Sequence, residues 1–262
     1  MHKKYISQHS ESLLQNPMDL TLSSLKSEKD KGLKYFKDSK IPEENIFFAF
    51  SNKSYFIETL LTFIESDCRD KEVLELFSKH PSTKIKRAVA SNFFTSSSIL
   101  SKLAKSEDIQ TKVDVASNIA ADYQTRVYLS NDKNILVRRA IARCHATEHD
   151  ILAKLSTDKA DQVRSEVALN TNTPKKIRKI LFFDSAETVR ADSLLVPDVP
   201  LWLLKSRSTD KSKLVRLCVA NIDRTPIEII EKLSNDLDLD VAFAAKQKLL
   251  KIGTFKPEIR VA

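Results

Sequence analysis

Two stretches decide the fold: VRSEVALNTNTPKKIRKILFFDS at residues 163–185 and VRLCVANIDRTPIEIIEKLSND at residues 215–236. Each opens with apolar residues at helical spacing, passes through Thr-Pro, continues with a second short apolar stripe and reaches an aspartate at its close, Asp184 and Asp236. Outward from Val163 the pattern returns every 26 residues, at Ile85, Thr111, Val137, Val163, Val189, Val215 and Val241, without insertion. Counted from these anchors, apolar residues at offsets 0, +4 and +5 mark one face of a short helix. Alanine at +5, in Ala90, Ala116, Ala142, Ala168 and Ala220, permits close helix approach.

A second helix follows in each unit. Thr173-Pro174 and Thr225-Pro226 read as its start, threonine as N-cap and proline as first helical residue, with Thr95 and Thr147 in the same slot. Its apolar face is Ile99, Leu100 and Leu103, then Ile151, Leu152 and Leu155, then Ile177 and Leu181, then Ile229, Ile230 and Leu233. Asp132, Asp158, Asp184, Asp210 and Asp236 close the units at +21. A pair of helices this short cannot bury its own stripes, so successive pairs must stack. The expected fold is all-α, an α-solenoid of stacked short helix pairs with a 26-residue period. Units start near residues 59, 85, 111, 137, 163, 189, 215 and 241. Val73, Leu74 and Phe77 serve the first, weaker unit; residues 1–58 form a polar segment and helical cap, and 253–262 a tail.

The two quoted segments resemble leucine-rich repeat variant units, whose pattern runs V-R-x-x-V-A-x-N, then T-P, then leucines and an aspartate. The resemblance covers about residues 81–250 and implies a HEAT-like right-handed solenoid of paired short helices. The chain departs from that family's founding pattern in its 26-residue units and in lacking a cysteine cluster before the repeats. An iron–sulfur function is therefore not carried over.

Composition agrees with a stacked repeat. Of 262 residues, two are glycine, Gly32 and Gly253, which argues against phosphate-cradling loops, dinucleotide fingerprints and turn-rich barrels. The net charge of +8 is uneven, with 12 basic against 13 acidic residues in 1–80 and 31 against 22 in 81–262. An acidic partner is thus sought along the repeats. Cys68, Cys144 and Cys218 are too scattered for a metal or disulfide framework and point to a reducing compartment. No apolar run approaches membrane-spanning length, and a cytoplasmic protein with no membrane association is expected.

Lys86, Lys112, Arg138, Arg164, Arg190 and Arg216 form a cationic column at +1. It could track phosphates. Each arginine, however, follows an aspartate by six residues, and lysine stands where that aspartate is replaced by His80 or Ser106. The column reads as an internal Asp/Arg ladder, an arginine fork bridging carboxylates of its own and the adjacent turn. Partner contact is expected off the ladder, at Lys175, Lys176, Lys179, Trp202, Lys205 and Arg207. Ile177, Ile180 and Leu181 supply the buried side of the first of these helices, so the lysines face outward. Trp202 occupies +13, a column otherwise polar, and tryptophan is a binding hot-spot residue. The irregular run LLVPDVPLWLL leaves open whether it is buried or exposed.

The string His145-Ala146-Thr147-Glu148-His149 reads as an inverted zinc-protease motif but straddles the turn between two helices, so its rings do not form a helical pair. Neither catalytic residue, metal nor cofactor is expected. The reading is a non-enzymatic scaffold that binds a macromolecule, foremost a protein, through its solenoid surface. The alternative is a nucleic-acid-binding HEAT-like solenoid, glycosylase-like, with Trp202 and Asp192 or Asp198 as its nucleus.

Overall fold

The computed structural model describes residues 68–253 apart from residue 198, together with Leu61, Ile64 and Glu65. The expectations for residues 1–58 and for the tail beyond Gly253 lie outside these residues, as does Asp198. The chain divides into two compact units, one ending at Asn92 and one beginning at Phe93.

In the first unit, α1 (Lys71–Ser78) packs on α2 (Thr83–Ser91). Asp70 caps α1 by accepting from the backbone N–H groups of Glu72 and Val73. Val73, Leu74 and Phe77 are its buried face, as their spacing requires. Asn92 ends the unit by donating to the carbonyls of Ile64 and Cys68.

The second unit alternates shorter and longer helices: α3 (Ser97–Leu103), α4 (Ile109–Ser117), α5 (Tyr123–Leu129), α6 (Ile135–Arg143), α7 (His149–Leu155), α8 (Asp161–Leu169), α9 (Lys175–Leu181), α10 (Glu187–Ser193), α11 (Leu201–Arg207), α12 (Lys213–Asn221), α13 (Ile227–Leu233) and α14 (Leu239–Ile252). Helices α4, α6, α8, α10, α12 and α14 pack each against the next and make a continuous row, here called row A. The seven-residue helices between them form row B, and α5, α7, α9 and α13 each bridge two successive row A helices. No strand occurs among the described residues, and the stacked helix pairs make this an all-α solenoid.

Close packing of row A follows from the small residue at +5: Ala116, Ala142, Ala168 and Ala220 are all fully buried. Around them lie the branched residues at 0 and +4, among them Val137, Ile141, Val163, Val167, Val215 and Val219, each fully buried. Each such side chain contributes roughly 1.5–3 kcal/mol relative to an exposed one. Row B adds Ile99, Leu100, Ile151, Leu152, Leu155, Ile230 and Leu233.

The threonines do different work from the capping read in the sequence. Row B helices start one residue later, with Pro174 and Pro226 themselves at the N-cap. The hydroxyls of Thr147, Thr173 and Thr225 instead donate to the carbonyls of Ile141, Val167 and Val219, six residues back, at 2.6–2.7 Å. They close the turn by bonding carbonyls in the last turn of α6, α8 and α12, where a helix runs out of its own backbone donors. Asn170 ties neighbouring units together, its amide donating to the carbonyls of Ala142 and Cys144 at 2.7 and 3.0 Å. In the last unit Lys248 stands at the same offset and its ammonium reaches the carbonyls of Ala220 and Ile222. Gly253, the first residue after the repeats, ends α14 with φ at 77°, a conformation that a side chain would strain.

One unit departs from the pattern. Helix α10 stops at Ser193, two residues short of its row A neighbours, and Pro197 and Pro200 follow in the connection to α11. Leu194, fully buried, replaces the usual alanine, and the chain turns through Leu195, Val196 and Pro197.

Candidate functional site

The cationic column is built into the fold. Arg138, Arg164, Arg190 and Arg216 each grip the aspartate twenty residues on, in their own unit, through Nε and Nη2 at 2.7–3.0 Å. Nη1 of each donates to the backbone carbonyl of the aspartate six residues back, at 2.8–2.9 Å. The preceding aspartate thus contributes its main chain, not its carboxylate as the spacing had implied. Lys112 makes the equivalent pair with Asp132 at 2.9 Å, so a lysine there does not mark a missing partner. Each +21 side chain also accepts the backbone N–H two residues on, and His80 and Ser106 do the same through Nδ1 and Oγ. Burial alone would raise these carboxyls, but the arginine forks and backbone N–H groups hold Asp158 and Asp184 below the usual carboxylate range. Asp210, held by both Arg190 and Arg207, is lowered to about 2.

The residues expected to meet a partner lie on row B helices α9 and α11. Lys175, Lys176 and Lys179 are exposed on α9, and Trp202 and Lys205 on α11. Trp202 is 53% exposed, which resolves the alternative that the sequence left open. Its ring stacks on Phe183, with centroids 6.5 Å apart and planes inclined by 18°. The guanidinium of Arg207 lies 4.6 Å from the Phe183 centroid while pairing with Asp210 at 3.0 Å. Arg207 is therefore mostly buried support for the aromatic pair and the ladder, not a surface cation as its sequence position suggested.

A second correction concerns α9. Ile180, assigned to the buried side, is 65% exposed, and Arg178 is buried in its stead. Arg178 sits at +15, as does the buried Arg126, and its Nη2 faces the carbonyls of Asn170, Thr171 and Thr173. With Phe183 at 59% and Leu201 at 56% exposure, α9, the turn that follows it and α11 present four large apolar side chains among lysines. Neither helix carries an acidic residue, whereas α7 holds Asp150 and α13 holds Glu228 and Glu231. Phe183 was missed in the sequence, yet its signal is the one that revealed Trp202. Its column otherwise reads Lys105, Asn131, Thr157, Thr209 and Asn235.

The remaining chemical candidates separate in space. In the 145–149 string, Glu148 is the N-cap of α7 and pairs with Arg126 at 3.0 Å, while His149 faces Asn172. Among the described residues no group of three histidine, cysteine or carboxylate side chains could hold a metal ion. Asp192 and Trp202 lie in opposite rows, on α10 and α11, so they do not form one nucleus. Asp192 instead lines a pocket of about 650 Å³ to which Trp202 does not contribute. Burial and Asp192 push the Cys218 thiol up to about 11, which keeps it protonated and unreactive at neutral pH. No described helix is long and apolar enough to cross a membrane.

No protein-family model matches this chain, and no curated protein matches it. Among solved structures it is similar to one described as a leucine-rich repeat variant with a novel repetitive protein structural motif. The identity is 18%, the TM-score is 0.57, and 86% of this chain and 84% of that one are covered. Stacked short helix pairs, the 26-residue period and this likeness identify the chain as an α-solenoid with the leucine-rich repeat variant fold.

Proposed function

We propose that this chain is a non-enzymatic binding scaffold that takes a protein segment on the exposed face of α9 and α11. The observation that carries the reading is the stacked Phe183–Trp202 pair, open to solvent among Lys176, Lys179 and Lys205 with no acid on either helix. Large aromatic side chains ringed by polar groups are the usual energetic centre of a protein interface. The lysines favour an acidic segment and repel a basic one. Its complement is an amphipathic stretch that sets aspartates or glutamates beside apolar anchors. A scaffold role also accords with the carboxylates of the ladder, which are neutralised by arginines and so poorly suited to proton transfer.

A nucleic-acid-binding role draws on the same lysines and on the stacking capacity of tryptophan. It has less support, because the one cation column long enough to follow a phosphate backbone is engaged with aspartates. The test is affinity capture from native lysate with wild type, the Phe183→Ala/Trp202→Ala double variant, and a Lys176→Glu/Lys179→Glu variant. A protein held by wild type and released by both variants is expected. Identical capture by all three would refute this surface, and salt-sensitive binding of DNA by wild type alone would favour the second reading.

A further inference from the structure

We propose that the row A pocket beside Asp192 receives a partner peptide presenting a lysine or arginine between apolar residues. The pocket lies where α10 stops short, between that helix and α12, and its walls are largely Leu195, Val196, Leu214, Leu217 and Cys218. Leu195 and Leu214 stand exposed at its lips. Apolar surface continues along row A, with Leu169 beside Leu195 in an adjoining hollow and Phe243 one unit beyond Leu217 in the same column. A linear segment crossing several units suits this surface better than a compact molecule confined to the pocket.

The charge of the occupant follows from the repeat itself. Asp192 stands at +3, the offset of Glu166 one unit earlier. Glu166 is neutralised by two arginines of its preceding unit, Arg139 at +2 and Arg143 at +6, at 2.7 and 2.8 Å. The corresponding residues before Asp192 are Ser165 and Leu169, so the carboxylate keeps a hydroxyl neighbour and loses both cations. Asp192 forms no ion pair among the described residues, whereas Asp132, Asp158, Asp184, Asp210 and Asp236 all have one. Burial and the nearby Glu166 hold its carboxyl above the usual range, the mark of an anion whose counter-charge is absent. Arg224, the cation that lines the pocket, directs Nη2 to the carbonyl of Val196 at 3.3 Å. A carboxylate set in apolar walls, with its cations removed from the repeat, is complementary to an ammonium or guanidinium on an apolar chain.

The test uses short fluorescein-labelled peptides of leucine and serine with a central arginine, lysine, glutamine or glutamate, read by anisotropy on the full chain. Arginine and lysine peptides are expected to bind at least about tenfold tighter than the glutamine peptide, and Asp192→Asn to erase that preference. Leu169→Arg restores the missing internal cation at the offset of Arg143. It is expected to abolish peptide binding while leaving thermal unfolding unchanged or raised, which separates loss of the site from loss of the fold. Equal binding of the arginine and glutamine peptides, or undiminished preference in either variant, would overturn the proposal. Hexylamine binding as tightly as the peptides would assign the pocket to small organic cations and overturn the peptide.

Discussion

Arg164→Ala removes one rung of the ladder, and the structure sets the size of the loss. The guanidinium makes two 2.7 Å bonds to the carboxylate of Asp184 and one 2.8 Å bond to the carbonyl of Asp158. Both charged side chains are largely buried, at 13% and 9% exposure. Alanine leaves the Asp184 carboxylate with the N–H of Ala186 as its remaining bond and little access to water. Stranding a buried partner in this way costs about 3–5 kcal/mol, and the residual exposure places this rung near the lower end, about 3 kcal/mol. Arg164→Lys keeps the charge and one contact, as Lys112 does naturally with Asp132, and should cost about 1–2 kcal/mol. Urea unfolding followed by circular dichroism measures both, and a double-mutant cycle with Asp184→Asn isolates the pair. Because stacked repeats can unfold unit by unit, hydrogen exchange should show the loss centred on α8 and α10. An unchanged urea midpoint for Arg164→Ala, with weakened binding to a partner, would refute the structural assignment and return the column to the surface.

Three further outcomes follow from the same geometry. Asp210 titrates near 2 in the folded chain against 3.8 for the free group, so its stabilisation is complete above pH 4 and is lost as pH falls toward 2. The shift corresponds to about 2 kcal/mol, and acid titration of stability should show that loss in the wild type and a flatter profile in Asp210→Asn. Asn170→Ala should cost about 2 kcal/mol in urea unfolding, since it leaves the buried carbonyls of Ala142 and Cys144 without their shared donor. Cys218 should react far more slowly than free cysteine with a disulfide reagent at pH 7, its thiol being held up to about 11; rapid labelling in the native state would contradict that.

The period was legible because stacking repeats one packing problem at each unit. Ala116, Ala142, Ala168 and Ala220 recur where row A helices touch, and the ladder aspartates recur where each unit closes. Partners separated by twenty residues in the chain were less legible. Six residues back and twenty residues on are both consistent with the spacing, and the three-dimensional turn alone decides which offers a carboxylate and which a carbonyl. The threonine column misled for a related reason: an N-cap and a turn-closing hydroxyl call for the same residue one position apart.

Irregularity marked the candidate surfaces more plainly than chemistry did. Trp202 stood out as apolar in a polar column, and Phe183 satisfied the same test without being noticed. Arg178 and Arg207, by contrast, have surface residues' compositions and buried residues' positions. A guanidinium can pack its stem and still bond carbonyls or cover an aromatic ring, and no sequence rule assigns it to one role.

By itself the sequence determined the repeat, its all-α class, the stacking of helix pairs and an uneven basic charge, because each follows from periodicity or composition. Tertiary structure decided which cations are spent inside the fold, that Trp202 stacks in the open on Phe183, and that Asp192 faces a pocket without the arginines that serve Glu166. These depend on which side chains meet across neighbouring units, and a 26-residue spacing brings them together only once the chain has stacked.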